Sequence, residues 1–192
     1  MTSNNLAEIE KARTVLKETG KSLLPSALRA VNKTLPGVRT DFTKAIRGEI
    51  RLTAADVRGV IDILKAHVER TKGEGAIRLR GKRLSLMKFR PKPTQTKAGV
   101  KAGVKTVGRK TLLKHAFIAT MNSGHEGVFW RARAVGGKFV QRLPIQELFG
   151  PDVPTVAAYE GVLGQVLSQA AMRYYAAYAH ELDRDLDRIL KR

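Results

Sequence analysis

The residues that invite a chemical reading are few. His125 and Glu126 stand side by side in the turn-rich stretch Asn122-Ser123-Gly124-His125-Glu126-Gly127, and an imidazole beside a carboxylate is raw material for a hydrolase or a metal site. No second histidine follows at the fourth position, and the chain holds only His67, His115, His125 and His180, so the spacing of a helical zinc motif is missing. Ser123 lacks the Gly-x-Ser-x-Gly elbow that exposes a nucleophile. Gly99, Gly103 and Gly108 lie near lysines but without the Lys-Ser/Thr pair and helix of a phosphate-binding loop. With no cysteine there is no thiolate ligand, Cys nucleophile or disulfide framework. These residues read as turn formers that cap backbone groups. No catalytic residue, metal ligand or cofactor is expected.

Charge is the stronger signal. The chain has 36 Lys and Arg against 17 Asp and Glu, a net +19, and such an excess points to a polyanionic or acidic partner. Residues 70–114 contain fifteen bases and one acid, Glu74, so a net +14 sits in one internal stretch between segments patterned to fold. Within it Arg78, Arg80, Lys82 and Arg83 cluster, and Lys101 and Lys105 repeat in Ala-Gly-Val-Lys units. Such groups can approach nucleic-acid phosphates without reading bases.

The elements that must position these groups follow from periodicity. Leu6 to Thr19 has helical spacing with Gly20 as a stop, Leu23 to Leu35 forms a second amphipathic segment before Pro36-Gly37, and Phe42 to Ile50 a short third piece. Thr53 is placed to cap a further helix running to Leu64. The period then changes to two: residues 76–80 and 82–86 predict a hairpin turning at Gly81, whose positive φ would close it. Residues 98–105 predict a strand with one lysine-bearing face, 115–121 and 128–133 two more strands, and 138–143 follows Gly136-Gly137. Phe129 and Trp130 fall on opposite faces of their strand. From Pro154 to Leu190 runs the longest helical stripe, as one helix or two joined near Gly161-Gly164, carrying Tyr174, Tyr175 and Tyr178. The fold class is α+β: N-terminal helices in 1–69, a basic antiparallel sheet in 70–145 and a long C-terminal helix in 154–191, all in a single domain 1–192. No apolar run approaches the ~20 residues of a membrane-spanning helix, and the opening residues MTSNNLAEIEKARTV do not resemble a secretion signal.

The block HAFIATMNSGHEGVFWRA followed by QRLPIQELFGPDVP, residues 115–132 and 141–154, resembles the signature of the minor tail protein Z family, the tail completion proteins of long-tailed phages. LTAADV through RGKRLSLMKF extends the likeness, so that it covers residues 50–156; Trp130 and the loop from Ala134 to Lys138 are departures from the family pattern.

The resemblance implies a structural protein of the virion, not an enzyme, made in the host bacterial cytoplasm and placed where the tail meets the head. Its implied partners are itself in a ring of six, the tail terminator or tail tube, the head completion or connector proteins, and the tape measure protein. DNA contact is secondary. A channel on the order of 30 Å long encloses about 18 phosphate charges, far fewer than six copies of the basic stretch supply. Arg78, Arg80, Lys82, Arg83, Lys101 and Lys105 are therefore expected to meet DNA or a neighbouring ring, and Trp130, Tyr174, Tyr175 and Tyr178 to serve a subunit interface. The competing reading is a sequence-independent nucleic-acid-binding protein, which would explain the charge but not the 115–154 block.

Overall fold

A single helix, α1 (Ser3–Glu49), runs where the sequence suggests three pieces. The structure, a computed structural model, describes residues 3–67, 74–131 and 145–191, with side chains from residue 8. Pro25, Pro36, Gly20 and Gly37 all lie inside α1, although an interior proline removes a helical hydrogen bond and costs about 3 kcal/mol. Packing outweighs that local penalty. Leu35, Val38, Phe42 and Ile46 are buried at steps of three and four that pass through the expected break, while Pro25 and Pro36 lie on the exposed side.

The next helix is shorter than its pattern. Thr53 does cap α2 (Ala54–Arg58), accepting from the Asp56 amide at 3.2 Å, but Gly59 closes it. The β-branched Ile61 and Ile63 then turn inward on either side of exposed Asp62, forming strand β1 (Ile61–Leu64). The helix expected to reach Leu64 is thus half strand. Strand β2 (Ala76–Leu79) keeps Ile77 and Leu79 half-buried, yet it pairs with β1 and not with residues 82–86. Gly81 does not take the left-handed conformation expected of it. Instead Ser85 bridges to Phe149, the Gly150 amide donates to the Leu84 carbonyl at 2.8 Å, and a 3-10 turn at Leu86–Lys88 buries Leu86 and Phe89. Alternation predicts a strand but does not choose its partner.

The expected central sheet is three small ones. Besides β1–β2, strands β3 (Thr94–Thr96), β4 (Gly99–Ala102) and β5 (Thr111–Lys114) form one antiparallel sheet. Strands β6 (Phe117–Thr120), β7 (Glu126–Arg131) and β8 (Ile145–Glu147) form the other. The β6–β7 hairpin is where the sequence places it, with Phe117 opposite Phe129 and Gly124 at φ +79° in the turn. The expected strand at 138–143 lies outside the described residues. Helix α3 (Val153–Ala157) and helix α4 (Glu160–Leu190) finish the chain, divided at Ala158-Tyr159. The architecture is α+β: a long N-terminal helix, small antiparallel sheets and a long C-terminal helix. No helix among the described residues is long and apolar enough to cross a membrane.

Two compact units divide the chain. Unit 1 comprises Met1–Asp41, Ile63–Arg78 and Gln165–Arg192; unit 2 comprises Phe42–Asp62 and Leu79–Gly164. Unit 2 has an apolar core that includes Phe42, Ile46, Val57, Phe89, Val100 and Val128. Unit 1 buries Ala30, Leu35, Val38, Ala66 and Val166 together with Ser26, Thr34, Asp41, Glu181 and Asp185. The Asn32 side chain clasps the backbone of Ala66, donating to its carbonyl at 3.1 Å and accepting from its amide at 2.8 Å.

Candidate functional site

In unit 1 the contact between α1 and α4 is polar at its centre. Arg29 and Lys33 lie one turn apart on α1, and Glu181 and Asp185 lie one turn apart on α4, so each pair shares a helix face. Glu181 is fully buried, with its carboxylate taking Arg29 Nε at 2.6 Å, Arg184 Nη2 at 2.6 Å and the Lys33 ammonium. Asp185 accepts from the Ser26 hydroxyl at 2.7 Å and from Arg29 Nη2. These donors favour the charged acid: hydrogen bonds from Lys33 and Arg29 lower the Glu181 pKa to about 2, against the opposing cost of burial. The Ser26 hydrogen bond lowers that of Asp185, and the bond to Glu181 raises that of Arg29. Further along the same helices Arg173 Nη2 reaches Asp41 at 2.9 Å by crossing over Gly37, where an added Cβ would stand 2.2 Å from Arg173 Nη1. Of the apolar stripe predicted for the C-terminal helix, Ala170, Tyr174, Tyr178, Leu182, Leu186 and Ile189 are half-buried, beside the fully buried acids. Leu163 and Leu167 are exposed, and the inward line from Val162 and Val166 continues into Glu181 and Asp185. The matching one-turn pairs of bases and acids were the sequence signal for this cluster.

The predicted basic residues do not share a hairpin tip. Arg78 is exposed on β2; Arg80, Lys82 and Arg83 are exposed in the segment that follows, with Arg80 Nε 3.2 Å from Asp62. Lys101 is the exposed member of β4, and its register opposite Thr94 and Leu112 puts it on the face shared with Lys114, away from buried Val100 and Ala102. Lys105 lies beyond the strand, bridged to Ile50. The β3–β4–β5 sheet thus has an apolar face and a lysine face.

The aromatic candidates are accessible. Trp130 is 42% exposed with its indole N–H donating to Gln146 Oε1 at 3.3 Å, while Phe129 on the opposite face is buried. On α4, Tyr174 stacks on Tyr178 at 5.8 Å and meets Tyr175 edge-on at 5.7 Å; Tyr175 is 69% exposed. His125 pairs not with its neighbour Glu126 but with Glu147, Nε2 to Oε2 2.9 Å, and stands edge-on to Phe129. No group of three or more His, Asp or Glu suited to a metal ion occurs among the described residues.

Sequence reasoning missed a groove in unit 2. Its volume is about 640 Å³, and it is lined by Ile50, Leu86, Ala102, Val104, Leu113 and Leu148 among others, including the aromatic Phe149 and Tyr159. The loop bearing Lys105, Val107 and Arg109 also contributes to the lining. Arg51 fixes that loop by donating to the carbonyls of Thr106 (3.0 Å) and Gly108 (3.2 Å).

Comparison with known proteins adds one finding. A family model described as prophage minor tail protein Z (GPZ) matches residues 7–192. No curated protein and no solved structure matches.

Proposed function

Since the chain belongs to the prophage minor tail protein Z family, a phage tail family, we propose that it is a non-enzymatic tail completion protein that closes the head-proximal end of the tail and joins it to the head. It acts there as a ring of six around the DNA channel. Its neighbours are the tail terminator or tail tube on one side and head completion or connector proteins on the other, with the tape measure protein as a further contact. The observation that carries an assembly role is apolar exposure: Leu16, Leu23, Leu24, Leu167, Met172 and Tyr175 are all exposed on the helices of unit 1. A contiguous apolar patch marks a surface made for a partner, and these six side chains supply the apolar groups for one. The test is to locate the labelled chain on intact particles by electron microscopy and to count its copies. Several copies at the head-proximal end are expected; a single copy, or absence from purified tails, would overturn the reading.

DNA contact is a second property, favoured by the lysine face of the β3–β4–β5 sheet with Lys101 and Lys114. Binding through such a face is independent of sequence and falls steeply with salt. Replacing Lys101 and Lys114 with Ser should lower the affinity of the purified chain for duplex DNA and flatten its salt dependence. Replacing Arg78, Arg80, Lys82 and Arg83 with Ser should leave the thermal melt near that of the parent, because all four side chains are exposed, while impairing the joining of tails to filled heads.

A further inference from the structure

The groove of unit 2 has the chemistry of a receptor for a short amphipathic, acidic segment. Its lining is largely apolar, and its volume of about 640 Å³ falls in the range of small-molecule and peptide-anchor sites. Its lining includes Lys105 and Arg109, with Lys110 next in sequence, against the single acid Glu49. Val107 is 85% exposed on the loop held by Arg51, an apolar side chain left in water at the rim.

A segment with the complementary character lies in the chain itself. Glu8, Ile9 and Glu10 lie on α1 with no base before Lys11. Residues 8–14 are all exposed, and Ile9 and Leu16 stand 61% and 73% in water. Exposed helical turns are marginal in water, so this part of α1 gains stability from any surface that covers Ile9 and meets its two carboxylates.

We infer that the groove receives the turn Glu8-Ile9-Glu10 of α1 from a second copy of this chain. Ile9 enters the apolar lining that includes Phe149 and Val107, and Glu8 and Glu10 meet Lys105 and Arg109. The two halves of the contact are different surfaces, so each copy offers one arm and one groove. Such head-to-tail contacts close into rings when the rotation allows. The inference rests on the self-assembly reading above but names its surfaces.

The test places a photoreactive amino acid at position 9 of the full-length chain and irradiates an equal mixture of unlabelled and ¹⁵N-labelled protein, both purified and in assembled tails. Cross-links from position 9 to Val107, Phe149 or Tyr159 are expected, with mixed-isotope pairs at their statistical share. Glu8→Lys with Glu10→Lys should abolish them, as should Lys105→Glu with Arg109→Glu, and combining all four changes in one chain should restore them. Circular dichroism of each variant should match the parent, since the changed side chains are exposed. Cross-links confined to single-isotope pairs, cross-links elsewhere or to another virion protein, no cross-link at all, or failure of the fourfold variant to restore them would each overturn the inference. A chain that fails this test but still occupies the tail end in several copies would leave the proposed function intact.

Discussion

The two units of the chain differ in what their cores hold. Unit 2 is held by an apolar core of Phe42, Ile46, Val57, Phe89, Val100 and Val128. Unit 1 buries Glu181, Asp185 and Asp41 at the helix contact and leaves Leu16, Leu23, Leu167 and Tyr175 outside. The contrast separates two sources of specificity. An apolar core tolerates many arrangements of similar volume, whereas a buried carboxylate with matched donors fixes which turn of α1 meets which turn of α4. Fixing register that way is a use that buried ion pairs can serve.

The sharpest way to break this contrast is to show that unit 2 does not depend on its apolar core. Phe89 is 1% exposed and packs against the backbone of Gly150, where an added Cβ would come within 2.5 Å of its ring. Phe89→Ala should cost about 3–5 kcal/mol through lost transfer energy and the cavity left behind. In denaturant titrations that loss should hardly change between low and high salt, or between pH 7 and pH 5.

Unit 1 should respond differently. Glu181→Gln removes the charge that Arg29, Lys33 and Arg184 surround. The cost should fall near the low end of the ~3–5 kcal/mol seen for broken buried pairs, because those cations are 37–52% exposed and can rehydrate. Its pH dependence is the distinguishing mark. The folded-state pKa of Glu181 is lowered from 4.5 to about 2, so its contribution is complete above pH 4.5 and is lost as pH falls toward 2. Asp185 is shifted in the same direction. The stability gap between the parent and Glu181→Gln should therefore close across that acid window. A gap that stays constant down to pH 2 would mean the cluster does not hold the helices.

What could be read from the sequence follows the same division. The β6–β7 hairpin was legible because alternation and a glycine-bearing turn are local, and Phe129 and Trp130 fall on opposite faces as the alternation requires. The passage of α1 through Pro36-Gly37 was not, because the breaker is local while the stripe of Leu35, Val38, Phe42 and Ile46 that overrides it is a packing effect. The partner of β2 was missed for a similar reason: β1 lay hidden in a segment whose Thr53 cap announced a helix. The α1–α4 cluster joins residues about 150 positions apart, and a search for apolar stripes passes over a seam made of charges. The groove escaped because residues from five separate segments line it.

The smallest effect tests the comparison most finely, because two opposing terms meet at one residue. Gly37 lies in the interior of α1, where alanine is favoured over glycine by about 1 kcal/mol of helix propensity. A Cβ there, however, would stand 2.2 Å from Arg173 Nη1 and 3.2 Å from its Cζ, so the guanidinium must leave. Asp41 is 5% exposed, and its Oδ2 has no hydrogen-bond partner among the described residues. Displacing Arg173 therefore takes from a buried carboxylate the cation that holds its Oδ1, a loss of roughly 1–3 kcal/mol. Gly37→Ala should accordingly destabilise the chain by about 1 kcal/mol, the difference between the two effects. In an Arg173→Ala background the clash and the pair are both gone, and only propensity remains. There Gly37→Ala should stabilise, by an amount up to the propensity difference. The measurement is a double-mutant cycle in denaturant, and the sign reversal is its readout. If Gly37→Ala stabilises in both backgrounds, Arg173 contributes nothing by crossing α1, and that part of unit 1 is held by its apolar contacts in the manner of unit 2.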